Sequence, residues 1–594
     1  MKQTLVLDIE VYSNYFLAQF KSIDTGKVRS FEMFDGCDFD RQSVLSILKS
    51  HRIITFNGLN FDMPILTLAL KKFTCEQLKQ AADLIILGEK KSWEIERFYD
   101  FRTLPCDHID LIEVAPGVGI GLKLYGARLH SKKLQDLPID PAASITPEQR
   151  QLLREYCVND LDTTIDLWKV VTNPKDDIIK TRELLSAEFG MDFRSKSDAQ
   201  IAEAVIKSRV AQLKGSPVEK SKVESGTVFK YQAPAFIKFK SPLLVSVLES
   251  VLESEFLIKD NGQVALPKAL GRTLEIGQSK YQMGIGGLHS CEKSKSHIAT
   301  ENTLLRDRDV VSYYPSLIIQ CGLFPPNMGK HFQSVYKDFF DRRIAAKKSG
   351  DKSKAQTLKL TLNSTYGKLG SPYASLYAPN LMIQVTVTGQ LALLMLIERM
   401  EAASIPVVSA NTDGIVMACP AQLEPVMLQI VKQWEAETGL ETEETCYRAL
   451  FSRDVNNYLA LKTDGSYKTK GVLATPGVMK NPDNQIVSEA VCLFLNEKTP
   501  IAQTILGCQD VRKFLRTKRV TGGGKWGNEY LGKVVRWYRS TQSQTHIEYV
   551  KNGNKVGGSD CAMPLMTLPD TLPSDIDYDF YLAEASDLLK EIGV

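Results

Sequence analysis

The first 190 residues alternate short strand-like apolar runs with helix-like ones. Thr4 to Leu7 and Ile53 to Phe56 are of the first kind, and Asp40 to Ser50 and Thr146 to Val170 of the second. That alternation predicts an α/β domain. Chain breakers then crowd together at Lys214-Gly-Ser-Pro217, Ser225-Gly226, Pro234 and Asn261-Gly262. Residues 190–290 therefore read as helices followed by an irregular connector. From about 300 to 450 the pattern gives apolar strands, one long basic helical stretch, and an apolar helix over Thr388–Ala402. The region from 451 is mixed and basic, and closes in an amphipathic helix near Tyr581–Ile592.

At 594 residues the chain has room for about four domains of roughly 150 residues each. A content of 43% hydrophobic and 24% charged residues excludes a disordered or fibrous protein. The longest apolar runs, such as Leu391–Ile397, fall short of the roughly 18 residues that span a bilayer. Met1 to Val6 lacks the pattern of a signal peptide. An intracellular, non-secreted protein with no membrane partner is expected. The 11 cysteines show no C-x2-C pair and the 7 histidines no cluster. Any metal should therefore be held by carboxylates, which points to Mg²⁺ or Mn²⁺.

Net charge is only +3, but it is unevenly placed. Lys337 to Lys368 holds nine basic residues against three acids. Arg512 to Arg539 holds nine against Glu529 alone, and Asp570 to Val594 holds seven acids against one Lys. Two concentrated basic patches suit a polyanionic partner, and equally a pair of solvated helix faces.

Three fragments of the first domain carry acids. Leu5-Val-Leu-Asp8-Ile-Glu10 reads as a strand, and period-2 alternation puts Asp8 and Glu10 on one face. Two carboxylates so close ask for a cation. Ile53 to Asp62 reads as a second strand leading into a polar loop with Asn57, Phe61 and Asp62. Tyr156 and Asp160, four apart, share a helix face. Asp162 reads as a solvated acid and Lys123 as a surface lysine. In the second half, Arg308-Asp309-Val310 ends an apolar strand before the tight turn at Tyr314-Pro315. Lys359, Asn363 and Tyr366 lie on one helix face, with Gly367 next. Ile405 to Ala418 reads as a β-hairpin with Asn411-Thr-Asp413-Gly414 at its tip.

The ordered set D-x-E, N-x3-F-D and Y-x3-D resembles the three exonuclease motifs of proofreading DNA polymerases, in the DEDD class with the tyrosine variant. Arg308 to Ser316, Lys359 to Gly367 and Asn411 to Gly414 resemble motifs A, B and C of family B DNA polymerases. These six motifs run from residue 8 to 413, about two thirds of the chain. The chain is thus identified as similar to a compact viral family B polymerase, especially of bacteriophages. The fold this implies is multidomain α/β and α+β: an RNase H-like DEDDy exonuclease plus a right hand of palm, fingers and thumb. The expected boundaries are 1–190 exonuclease, 191–299 connector and N-terminal palm, 300–330 palm, 331–370 fingers, 371–450 palm, and 451–594 thumb and tail.

The resemblance implies a role for each matched residue. Asp8, Glu10, Asp62 and Asp160 would hold two Mg²⁺ ions, with Mn²⁺ as a substitute, while Tyr156 orients the attacking water. Asp309, the Val310 backbone and Asp413 would hold two more. Tyr314 would exclude a ribose 2′-hydroxyl, and Tyr313, where Leu is usual, would pack under the incoming nucleotide. Arg343, Lys347, Lys359, Asn363 and Tyr366 would bind the dNTP, and Lys359 would also protonate the leaving pyrophosphate. Asn57, Phe61, Gly286, Gly287, Tyr458 and Lys470 would contact DNA. Gly284-Ile-Gly286-Gly287 matches Y-x-G-G without its Tyr. Asn456 stands where K-x-Y has Lys, with Arg453 or Lys470 as stand-ins. Asn411 and Gly414 replace the first Asp and the Ser of D-T-D-S. Gaps of 50 residues from Asp309 to Lys359 and 54 from Lys359 to Asp413 leave little room for the insertions of protein-primed members. The expected activity is template-directed extension of a nucleic-acid primer with dNTPs and 3′→5′ proofreading, by a monomer in the host-cell cytoplasm or nucleoid. A processivity factor, helicase or single-strand-binding protein would assist it. Two alternatives are an exonuclease with a decayed polymerase half and a non-enzymatic single-strand-binding protein.

Overall fold

The computed structural model describes residues 2–117 and 119–594. They form two compact units that interleave along the chain. The first comprises 1–197, 476–486 and 505–581, and the second 198–475, 487–504 and 582–594.

The first unit is built on a mixed five-stranded sheet. Its strands are β1 (Thr4–Tyr12), β2 (Tyr15–Ser22), β3 (Val28–Met33), β4 (Arg52–Thr55) and β5 (Asp107–Asp110), in the order β3-β2-β1-β4-β5. β1 to β3 pair antiparallel, while β4 and β5 continue the sheet in parallel. The helix Arg41–Ser50 starts where Asp40 caps the Ser43 N–H, and it buries Val44, Ile47 and Leu48. The helix Pro147–Val171 opens on Pro after Thr146, whose side chain and Gln149 cap each other. It buries Leu153, Tyr156, Cys157 and Leu161, so its wet-to-dry boundary runs beside the Tyr156–Asp160 face. A separate four-stranded sheet, led by the hairpin Arg516–Trp526 and Glu529–Arg539, completes this unit.

The second unit is built on a ten-stranded sheet. The strand Thr303–Val310 lies between Thr442–Asp454 and Gly414–Pro420, antiparallel to both. Val407–Asn411 follows Gly414–Pro420 as its hairpin partner, and Asn457–Lys462 and Tyr467–Lys470 extend the other side. The helices Lys330–Lys348 and Lys352–Leu369 form a helical hairpin, and Asp198–Lys214 packs against both. The apolar helix spans Pro379–Ala402, starting nine residues earlier than the sequence pattern suggests. It is long and apolar enough to cross a membrane, yet most of its side chains are buried inside this unit. It is a core helix against which Trp434 donates to the Ala392 carbonyl at 2.8 Å.

One boundary differs from the sequence reading. The stretch 198–299, expected as connector and N-terminal palm, belongs to the second unit. The stretch 451–594 is not one element. Residues 457–470 supply two strands to the ten-stranded sheet, while 505–581 belong to the first unit. Pairing across hundreds of residues decides this, and local pattern does not carry it.

Candidate active sites

β1 places Asp8 and Glu10 on one face, as period-2 alternation requires. The helix Pro147–Val171 brings Tyr156, Cys157 and Asp160 to them, and Asp62 opens the helix Asp62–Leu70. Ligand atoms of Asp8, Glu10 and Cys157 lie within 4.8 Å of one another. Burial, then the charge of Asp160, pushes the Asp8 carboxyl up to about 8. Burial and then Asp8 hold Glu10 and Asp62 well above the carboxylate range, and burial lifts Asp160 to about 6. Four crowded oxygen acids that resist ionising together fit a hard divalent cation. Cys157 is no fourth ligand. Burial keeps it a thiol, and its Sγ donates to the Asp8 carboxylate at 3.4 Å. Burial and Asp160 likewise hold Tyr156 as a protonated phenol.

Several neighbours of this site were not legible in the sequence. Asp110, 1% exposed, accepts the Asn57 and Leu59 N–H groups at 2.8 and 2.9 Å. It thereby fixes the loop that ends in Asp62, with Asn57 in a left-handed turn at φ 70°. Phe61, expected to contact DNA, is half-buried and packs against a core cluster of the first unit. Lys123 is not a free surface lysine. Its Nζ lies 4.9 Å from the Tyr156 ring centre and 3.5 Å from Asp136, and its charge opposes the rise of Asp8, Glu10 and Asp160. Asp162 stands apart, ion-paired to Lys21.

In the second unit, Asp309 pairs in register with Gly414 on one side and Glu443 on the other. The Val310 N–H donates to the Asp413 carbonyl at 2.7 Å, which locks the hairpin tip beside Asp309. Burial and then Asp309 raise the Asp413 carboxyl. Two adjacent acids on a sheet with only oxygen donors again suit Mg²⁺. The two departures at the tip have local causes. A Cβ on Gly414 would lie 2.1 Å from the Asp309 Oδ1 and 2.9 Å from the Arg308 carbonyl, so only Gly fits this close approach. Asn411 donates through Nδ2 to the Val455 carbonyl at 3.0 Å, a bond that an ionised Asp cannot make.

Tyr314 and Tyr366 meet with ring centroids 4.3 Å apart, and the Tyr314 hydroxyl donates to the Gly286 carbonyl at 2.6 Å. Gly287 allows the Thr412 side chain within about 3 Å of where its Cβ would sit. Gln390, buried on the core helix, holds Gly284 by accepting its N–H at 2.9 Å and donating to its carbonyl at 2.8 Å. The segment 284–287 therefore borders Tyr314 and the hairpin tip. Tyr313 does not face a nucleotide: it is 4% exposed, and its hydroxyl donates to the Gly389 carbonyl. Lys359 and Asn363 project from the exposed side of their helix and make no hydrogen bond or ion pair among the described residues, while Leu358, Leu362 and Thr365 face the core. Arg343 is buried and donates to Ser312 Oγ, and Lys347 pairs with Glu443.

Two further residues complete this site. Asp307 is buried, accepts from the Tyr447 hydroxyl, and is raised by burial and Asp309 to about 7. Lys468, on the strand beside Tyr458, lies 3.9 Å from the Asp309 carboxylate. Arg453 pairs with Asp454 and Glu591, and Lys470 sits in register with Tyr458.

No protein-family model matches the chain. In sequence it is similar to DNA polymerase 1 of Aeropyrum pernix, 28% identical over 220 residues, covering 30% of this chain and 23% of that protein. It is also similar to DNA polymerase 1 of Sulfurisphaera ohwakuensis, 28% identical over 137 residues, covering 22% of this chain and 16% of that one. These matches span less than a quarter of the length of the curated relatives. Among solved structures it is similar to the family B DNA polymerase from the hyperthermophilic archaeon Pyrobaculum calidifontis, with a TM-score of 0.42 and 14% identity, covering 100% of this chain and 78% of that one. Over the matched stretches the chain is homologous to archaeal DNA polymerases.

Proposed function

We propose that the chain is a family B DNA polymerase of the compact viral type, which extends a primer 3′-hydroxyl with dNTPs and proofreads through a separate 3′→5′ exonuclease site. The observation that carries this reading is the meeting of Asp309 and Asp413 beside the Tyr314–Tyr366 pair, with Lys359 and Asn363 exposed on one helix face. The mixed five-stranded sheet of the first unit supports an RNase H-like exonuclease.

Asp309 and Asp413 would hold one pair of Mg²⁺ ions, and Asp8, Glu10, Asp62 and Asp160 another. When bound, such ions lower the pKa of an attacking oxygen and neutralise phosphate charge. Lys359 and Asn363, unengaged, are available to the triphosphate, and Lys359 carries a proton for the departing pyrophosphate. The Tyr314 ring, fixed by its bond to Gly286, forms a rigid floor that a 2′-hydroxyl would strike, so dNTPs are preferred over NTPs. In the first unit the Tyr156 phenol stays protonated beside Asp160 and holds the attacking water. The enzyme acts as a monomer on primer-template DNA inside a host cell, with a processivity factor, helicase or single-strand-binding protein as partner.

The test uses a 5′-labelled primer on a longer template with Mg²⁺. The wild type lengthens the primer with dNTPs and shortens it without them. Asp309→Ala abolishes lengthening alone, and Asp8→Ala abolishes shortening alone. If Asp309→Ala changes nothing, the second unit is only a scaffold.

A further inference from the structure

The helical hairpin of the second unit meets the triphosphate with two kinds of side chain. Lys359 and Asn363 are unengaged among the described residues. Arg343 and Lys347 already have partners outside the hairpin. Arg343 donates to Ser312 Oγ, and Lys347, one turn further along the helix Lys330–Lys348, is ion-paired to Glu443. Nothing in the roles above uses Glu443.

By itself Glu443 is ill placed. It lies on the strand Thr442–Asp454 directly opposite Asp309 on Thr303–Val310. Opposed residues of an antiparallel pair point to the same face with Cβ atoms about 5 Å apart, and two like charges so placed repel. The backbone keeps it there all the same. Glu435 accepts both the N–H and the hydroxyl of Thr442 at 2.7 Å, and the Val311 N–H donates to the Glu441 carbonyl at 2.8 Å. Lys347 brings the cation that offsets the repulsion. The Glu443 and Lys347 side chains are 63% and 47% exposed, so a solute can reach the pair from water. The two held cations differ in kind. Arg343 is buried, and its planar guanidinium is set by Ser312. Lys347 is a compact charge on a flexible stem, able to change partner without movement of its helix.

We infer that Glu443 is a counter-ion that the triphosphate must displace. Lys347 rests on Glu443 before a dNTP arrives, crosses to the triphosphate as it binds, and returns to Glu443 as pyrophosphate leaves. A triphosphate carries more negative charge than one carboxylate and draws the ammonium across. Exposed ion pairs are weak, so the exchange costs a few-fold in affinity and not orders of magnitude. The inference rests on the polymerase reading. It makes Glu443 a positioning residue that acts through Lys347, without contact to the reacting atoms.

The experiment measures incorporation of a single dNTP opposite its templating base with Mg²⁺. The parent is the full chain carrying Asp8→Ala, so that primer shortening does not intrude. Glu443→Gln, Lys347→Gln and the two together are each compared with that parent. Glu443→Gln is expected to lower KM for the dNTP about threefold, and the inhibition constant of pyrophosphate by a like factor, with kcat within about twofold. Lys347→Gln should raise KM. In its presence Glu443→Gln should shift KM by less than about 1.5-fold, because the two substitutions remove one shared contact. A merely structural role would not produce that coupling. If Glu443→Gln lowers kcat or raises the Mg²⁺ requirement, equally in the parent and in Lys347→Gln, Glu443 serves the metal site and the inference is overturned. A KM that Glu443→Gln leaves unchanged in an active parent overturns it alone, as does a lowering of KM that persists in Lys347→Gln. A parent that incorporates no dNTP overturns the polymerase reading and this inference with it.

Discussion

Asp8→Asn should make the metal-free protein more stable while it destroys hydrolysis. Oxygen atoms of Asp8 and Glu10 lie within 4.8 Å of each other. Burial, and then the Asp160 charge, makes ionising Asp8 there cost on the order of 3 kcal/mol. Asp8 in the folded chain titrates near 8, far above the value of about 4 for an exposed carboxyl. A raised folded value means the unfolded chain releases the proton first. The penalty is therefore absent below about pH 4, grows as pH rises, and is complete by about pH 8. Asn keeps the shape and still accepts from Cys157, but carries no charge. In EDTA at pH 8 the variant should unfold later than the wild type by about 3 kcal/mol, or roughly 5 °C for a unit of this size. At pH 4 the gap should vanish, and excess Mg²⁺ should raise the wild type more than the variant. Differential scanning calorimetry at the two pH values, with and without Mg²⁺, reads all three. A variant that melts with or below the wild type in EDTA at pH 8, while retaining native circular dichroism, would refute the reasoning.

Other outcomes follow from single contacts. Gly414→Ser should reduce primer extension by more than tenfold in a gel assay and leave shortening intact, because its Cβ meets the Asp309 carboxylate and the Arg308 carbonyl. Asn411→Asp, which restores the commoner acid, should lower stability by about 1–2 kcal/mol in urea unfolding, because the Val455 carbonyl loses its donor. His108 is half-buried, bonded through Nε2 to Thr55, and held down to about 4 by burial and then Arg194. A depressed histidine keeps its stability above the unfolded value near 6.5 and loses it as pH falls towards 4. Acid unfolding followed by fluorescence should therefore begin below pH 6.5 and start later in His108→Asn.

Much of both sites was legible because it follows local periodicity. Asp8 and Glu10 share a face because they lie two apart on a strand, and Tyr156 and Asp160 because they lie four apart on a helix. Lys359 and Asn363 fall on the exposed side of a helix whose Leu358, Leu362 and Thr365 face inward. What escaped was set by contacts between distant segments. Asp110 fixes the Asn57 loop from 53 residues away, and Lys468 reaches Asp309 from a strand two positions across the sheet beyond Thr442–Asp454. Tyr313, next to Tyr314, was expected under a nucleotide, yet a helix turn after Ser312 directs it to Gly389 in the core. The interleaving of 476–486 and 505–581 with the first unit has no local signature either.

The central claim is that one chain carries two separable chemistries. Its most direct test is a labelled primer-template incubated with Mg²⁺ and dNTPs, using wild type, Asp8→Ala, Asp309→Ala and the double variant. The account predicts lengthening in the first two, shortening only in the third, and an unchanged primer in the fourth. Loss of both activities in either single variant, or lengthening that survives Asp309→Ala, would contradict it.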